Sequence, residues 1–209
     1  PLSAQAELTA ALVQPATEPG AQQDLNVFLD VPAIAAHFNL NGIAAQLQLQ
    51  ELQGSLLEGF ALKGLTFSQG TNRVEVNGQI AAKESSQLNG IIDLRALESL
   101  APGVTGDLQA TLQAAGTLDT LDLHISGHSD RIMAGSTRLR NVAFDGSFNR
   151  AEQSFALTGM INTLRLVQGL KPARQCVLDL SGNSARHNLS FVCGGENSIF
   201  VSAAGALDE

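Results

Sequence analysis

Few residues of this sequence are of types that do chemistry, and their spacing narrows what that chemistry could be. His124 and His128 stand four positions apart. On a strand that spacing separates them by about 13 Å, too far to share a metal ion, and Gly127 is expected to end the strand between them. His187 follows a turn around Asn183, Ser184 and Ala185 and reads as a polar hairpin residue. Asp107, Asp119, Asp122 and Asp179 occupy polar positions of alternating segments and form no general acid and base pair. Asn188-Leu189-Ser190 fits a glycosylation acceptor, but Leu189 is needed on an apolar face. There is no glycine-rich phosphate loop, nucleophile elbow or zinc-ligand spacing, so no enzyme chemistry, metal or cofactor is expected. What remains is a pair of thiols, Cys176 and Cys193.

The elements that must position these residues are strands. Apolar and polar residues alternate in short runs separated by Gly, Asn, Ser and Asp clusters, the pattern of half-buried antiparallel hairpins. Successive residues of a strand switch faces, so a register can be tested by whether it gathers the apolar residues on one side. One register sets Val74 opposite Leu94, Val76 opposite Ile92, Gly78 opposite Gly90 and Ile80 opposite Leu88. A second sets Leu108 opposite Ile125, Ala110 opposite Leu123 and Leu112 opposite Leu121. A third pairs Val142 with Ile161, Phe144 with Gly159, Gly146 with Leu157 and Phe148 with Phe155. A fourth pairs Leu180 with Leu189 and Leu178 with Phe191, and it brings Cys176 opposite Cys193 on the apolar side. Opposed residues lie about 4.5 to 5.5 Å apart, within reach of a disulfide that would stabilise by roughly 3 kcal/mol. A cross-strand disulfide in an oxidising compartment is one reading; two buried free thiols acting as small hydrophobes is the other.

Two stretches depart from alternation. Asp30 is a plausible N-cap for a short helix over Val31 to Phe38, and Arg95 to Leu100, ahead of Pro102-Gly103, is a second helix candidate. The segment from Gln14 to Gln23 is the most loop-like, and no linker divides the chain into domains, so residues 1–209 read as one continuous sheet.

Composition sets the outer limits. The 209 residues carry 12 Lys and Arg against 20 Asp and Glu, a net charge of −8, which offers no basic stripe for nucleic acid or an anionic membrane surface. With 44% hydrophobic and 15% charged residues the chain is expected to fold, but its nine aromatics are all Phe, so the core is expected to be thin. No apolar run approaches the length of a transmembrane helix, and the first residue is Pro rather than Met. The chain therefore reads as an internal segment of a longer protein, with any anchor elsewhere.

Side by side, these hairpins line up Leu, Ile, Val and Phe into one apolar ribbon, which glycines at matched positions allow to curl. The fold class expected is all-β: an elongated, curved antiparallel sheet forming an open U-shaped groove, with one or two short helices. Roughly fourteen strands at about 4.8 Å would make a trough on the order of 65 Å long.

At this point the residues resemble a known family. Gly70-Thr71-Asn72-Arg73-Val74-Glu75-Val76-Asn77-Gly78, then Leu97-Glu98-Ser99-Leu100-Ala101-Pro102-Gly103-Val104-Thr105-Gly106-Asp107-Leu108, then Gly116-Thr117-Leu118, and finally Leu178-Asp179-Leu180-Ser181-Gly182 with His187-Asn188-Leu189-Ser190-Phe191 are similar to the TamB family of AsmA-like proteins, over about residues 62–193. The resemblance implies a periplasmic protein of a Gram-negative bacterium, anchored in the inner membrane by an N-terminal helix. It implies a β-taco with a hydrophobic interior and a C-terminal end that meets the outer-membrane barrel TamA. It further implies phospholipid movement between the two membranes and support of outer-membrane protein assembly, autotransporters included. The partners expected are phospholipid acyl chains against the apolar face, TamA through other regions of the full-length protein, and nascent outer-membrane proteins, with no nucleic acid. The paired cysteines are not part of the resemblance.

Overall fold

The structure is a computed structural model that describes residues 3–6, 28–31, 33–55, 58–167, 171–183, 185–196 and 198–206. Its strands are β1 (Ser3–Ala6), β2 (Phe28–Val31), β3 (Ile34–Leu40), β4 (Ile43–Leu49), β5 (Glu51–Ser55), β6 (Gly59–Gln69), β7 (Asn72–Ala81), β8 (Gln87–Leu94), β9 (Val104–Gly106), β10 (Leu108–Ala115), β11 (Asp122–Ala134), β12 (Thr137–Asn149), β13 (Ser154–Arg165), β14 (Ala173–Asn183), β15 (Arg186–Gly194) and β16 (Ile199–Ala206); one helical turn, α1 (Leu97–Leu100), joins β8 to β9. All sixteen strands belong to one antiparallel sheet, in the order β1-β3-β4-β6-β7-β8-β10-β11-β12-β13-β14-β15-β16, with β5 beside β2 and β6, and β9 beside β11. The sheet is open, because β1 and β16 do not pair with each other.

Alternation governs which side each residue takes. Along β3 the pattern runs half-buried, exposed, half-buried from Ile34 to Leu40. This stretch was the expected helix after Asp30. It is extended because Ile34, Ala36, Phe38 and Leu40 recur at period two and pair with Leu49, Leu47, Ala45 and Ile43, which a helix would scatter around its axis. The second helix candidate does form, as α1. The expected loop from Gln14 to Gln23 lies outside the described residues.

Two expected registers hold and two slip by an even number of residues. Val142 faces Ile161 and Phe148 faces Phe155 as anticipated, and so do Leu178 and Phe191, and Leu180 and Leu189. In the β7–β8 hairpin, Val74 faces Ile92 rather than Leu94, Val76 faces Gly90, and Gly78 faces Leu88. Between β10 and β11, Leu112 faces Ile125, Ala114 faces Leu123 and Ala110 faces Gly127. An even slip leaves every side chain on its own face, so alternation alone cannot detect it. The observed registers set Val76 across from Gly90, Leu88 across from Gly78 and Leu123 across from Ala114, and neighbouring strands fill the space that the glycines leave. A Cβ on Gly90 would lie 3.2 Å from Leu112 Cβ, and one on Gly127 would lie 2.5 Å from Phe144 Cζ. For the same reason Gly127 does not end its strand. The position is filled from across the ladder, and β11 runs on to Ala134.

The ladder is interrupted along two lines. Pairing skips Asp130 with Asn141, Asn141 with Asn162, and Asn162 with Gln175, one position in each of four neighbouring strands. Asn141 and Gln175 have left-handed backbone there, φ 50° and 51°. At this line the alternation changes phase. Before it, Ser129, Val142, Ile161 and Cys176 lie on the apolar side; beyond it, Ile132, Leu139, Leu164 and Ala173 do. A second irregularity falls between Leu62 and Leu65 of β6, where Gly64 has φ 65° and donates its N–H to Asn77 Oδ1 at 2.6 Å. Both are devices that keep a long strand amphipathic while bending it.

Among the described residues the fully buried apolar core is small: Val31, Ala45, Leu49, Ala110, Ala114, Leu121, Leu164, Ala173 and the two cysteines.

Candidate ligand-binding groove

The apolar face is continuous from β6 to β16. One row across the ladder reads Leu65, Val76, Gly90, Leu112, Ile125, Gly146, Leu157, Leu180, Leu189 and Ala203. The next reads Phe67, Val74, Ile92, Ala110, Gly127, Phe144, Gly159, Leu178, Phe191 and Val201. Leu88, Leu123, Phe148 and Phe155 align in a third row with Ile80 beside it, and Leu94, Leu108, Val142 and Ile161 in a fourth; Leu121 continues the face at the end of β11. These rows gather apolar residues of successive strands on one side of the sheet.

Sequence reasoning missed three extensions of this face. Phe60, Leu62, Leu65 and Phe67 of β6 widen it on one side, with Phe38 and Phe67 ring centroids 6.5 Å apart. Ile132, Leu139, Leu164 and Ala173 lengthen it past the phase change, and Ile199, Val201 and Ala203 carry it into β16. A signal for the phase change was present: Leu62 and Leu65, Leu139 and Val142, Ile161 and Leu164, and Ala173 and Cys176 are apolar pairs three apart where strict alternation allows only two or four.

Among the described residues, no second sheet packs across this face, since the contacts between strands run along the ladder. Phe148 remains 40% exposed and Val201 46%. The surface is therefore greasy and accessible, an open face with no convergent polar groups. At one rim it is covered. Gln69 and Asn72 continue the apolar-face positions of β6 and β7, and both are buried beneath α1. Asn72 Nδ2 donates to Ser99 Oγ at 2.7 Å and to the Ala96 carbonyl at 2.9 Å, while its Oδ1 accepts from Ala96 N–H. Ser99 Oγ donates to Gln69 Oε1 or the Ala96 carbonyl, and Gln69 Nε2 donates to the Leu40 and Ser99 carbonyls. Asn41 Nδ2, from the β3–β4 turn, reaches the Ser99 and Leu100 carbonyls. Every buried polar atom of this knot has a partner, which is what makes its burial tolerable.

At the other end of the face Cys176 and Cys193 are joined, with an S–S distance of 2.14 Å. The bridge is buried with Leu164 and Ala173 and packed against Leu139, Ile161, Phe191 and Ile199. It spans the one stretch of the β14–β15 ladder whose register shifts, between Arg174 and Val177. Of the two readings open from the sequence, the structure contains the disulfide.

A family model described as TamB, N-terminal domain, matches residues 6–209. This chain belongs to the TamB family. The match extends the likeness well before Leu62, where the sequence offered no motif. No curated protein and no solved structure matches the chain. No helix among the described residues of this TamB-family chain is long and apolar enough to cross a membrane.

The other chemical candidates lie on the opposite, polar face. His124 Nε2 sits 3.2 Å from Asp145 Oδ2, whereas His128 is registered against Ala143 and Gln109. Asp122 accepts a hydrogen bond from Asn149 Nδ2, and Asp107 accepts the backbone N–H groups of Asp130 and Arg131. His187 is an exception: it lies on the apolar face, half-buried and stacked on Phe155 at 6.0 Å. It is set there by its register with Gly182, over whose bare Cα its ring lies.

Proposed function

We propose that this segment is part of a periplasmic bridge along which phospholipid moves between inner and outer membranes, acyl chains lying on the apolar face and headgroups projecting from its open side. The observation that carries this reading is the in-register apolar face, ten strands wide from β6 to β16, over which no second sheet packs. Each CH₂ removed from water contributes about 0.8 kcal/mol, so a face of Leu, Val, Ile and Phe holds acyl chains without any specific polar contact. The lack of convergent polar groups suits a passage that must not trap its cargo. Membership of the TamB family supports the periplasmic setting, the inner-membrane anchor on the full-length protein and the encounter with TamA, without distinguishing lipid from polypeptide cargo.

The test is to place a charge on the face. Leu180→Asp sits in the central row and is not in the buried core, so the ladder on either side should persist. In the full-length protein the variant should upset membrane lipid balance, and the purified segment should lose co-purifying phospholipid in native mass spectrometry. Normal lipid balance with a folded variant would refute the conduit.

A second reading is a scaffold that accepts a strand of a nascent outer-membrane protein. It is favoured by β16, which among the described residues pairs on one side only and carries the exposed Phe200. Main-chain pairing would dominate there, so Val201→Pro should harm it more than Leu180→Asp.

A further inference from the structure

The net charge of −8 hides a local concentration of the opposite sign. Arg131, Arg138, Arg140, Arg165 and Arg174 lie together on the polar face of β11–β14. Arg131 is directly opposite Arg140, Arg138 is directly opposite Arg165, and Thr163 alone separates Arg140 from Arg174. The expectation of no basic stripe is thus corrected. It failed because these positions are scattered in sequence and only the ladder collects them. Among the described residues none of the five is in an ion pair. Asp107 is engaged by the N–H groups of Asp130 and Arg131, and Asp130 lies in the line that the pairing skips.

Two features make this more than a solvated surface. Like charges directly opposed across a ladder destabilise a sheet, and here two such pairs adjoin with no carboxylate between them, an arrangement that a bound anion would relieve. The phase change at Asp130, Asn141, Asn162 and Gln175 also acts on these very residues: unbroken alternation would carry the five arginines onto the apolar face, and the skipped position in each strand, with left-handed backbone at Asn141 and Gln175, turns them to the other side. The same shift puts Leu139, Leu164 and Ala173 on the apolar side of the same strand ends. Arg138 and Arg165 stand next to the rim formed by the β11–β12 turn, one strand thickness from that apolar surface.

We propose that this arginine patch is a phosphate-binding site that takes the headgroup of an anionic phospholipid at the rim of the groove. The proposal rests on the groove reading for the position of the acyl chains. Arginine forks bind phosphate oxygens in pairs, and opposed arginines at ladder spacing can present two forks to one phosphate. The acidic remainder of the chain repels a long polyanion such as nucleic acid, which favours a small anionic group over an extended one.

The experiment compares binding of phosphatidylglycerol and of diacylglycerol with the same acyl chains to the purified full chain. Wild type should prefer the phosphate-bearing lipid by about tenfold, and higher ionic strength should erase the preference. The triple variant R138Q, R140Q and R165Q should lose that preference while still binding diacylglycerol. The charge-matched variant R73Q, R150Q and R186Q, drawn from elsewhere on the sheet, should keep it. Equal binding of both lipids by wild type overturns the patch and leaves the groove standing. An equal loss in both triple variants also overturns it, since bulk charge would then suffice. If neither lipid binds, groove and patch fail together as lipid sites. If inorganic phosphate alone perturbs the arginine side-chain resonances while neither lipid binds, the site serves free phosphate and the lipid assignment is wrong.

Discussion

The two ends of the apolar face are secured by opposite chemistry. Beneath α1, Gln69, Asn72, Ser99 and Asn41 form a buried amide and hydroxyl knot in which each donor finds an acceptor. At β14–β15 the corresponding place is filled by Leu164, Ala173 and the Cys176–Cys193 bridge, with no polar side chain in the cluster. Both stand where a regular ladder stops: one where β8 gives way to a helical turn, the other where the β14–β15 register shifts. A one-layer sheet cannot secure such places by packing a second layer over them, so each needs local cross-links. The knot achieves this by hydrogen bonds whose removal leaves unpaired groups behind, the bridge by limiting the unfolded chain.

That contrast can be broken at either end. The largest effect is expected from Cys176→Ser combined with Cys193→Ser, at about 3 kcal/mol for an intervening loop of this length. Hydrogen exchange should then accelerate in β14 and β15 and leave α1 unchanged; acceleration spread evenly over the sheet would deny the local role. Asn72→Ala should cost about 2 kcal/mol by orphaning Ala96 N–H and weakening the hold on Ser99, with faster exchange confined to α1 and the β6–β7 turn. Between the two ends, Gly127→Ala should cost about 1 to 3 kcal/mol through contact with Phe144, Ala110 and the Gln109 carbonyl, measured as a fall in the urea midpoint at unchanged m-value. The smallest effect belongs to the exposed Lys171–Glu196 pair near the disulfide, where Lys171→Met should change stability by less than about 0.5 kcal/mol. A larger loss there would mean that a surface ion pair contributes to that end after all.

Much of this was legible in the sequence. Val142, Phe144, Gly146 and Phe148 meet Ile161, Gly159, Leu157 and Phe155 as expected, with Phe144 over Gly159 and Leu157 over Gly146. The register of Leu178 and Leu180 against Phe191 and Leu189 holds too, and the cysteines followed from it. In β7–β8 and β10–β11 the period of two fixed the face but not the slip, since shifts by an even number of residues preserve facing. Asp30 to Phe38 looked helical because Ala, a helix former, dominates it, yet its partner strand β4 outweighed propensity. Nothing local marked Gln69, Asn72 and Ser99 as partners, for they are brought together from three separate elements.

By itself the sequence determined the class, the hairpins and the apolar face, because these follow from side-chain alternation between nearest neighbours in the chain, and it carried the TamB likeness in its ordered motifs. Only the tertiary structure decided the even slips of register, the phase change at Asn141 and Gln175, the buried polar knot and the arginine patch. Each of those depends on what lies one or two strands away, where Coulomb repulsion, van der Waals contact and unpaired hydrogen bonds act across the ladder rather than along the chain.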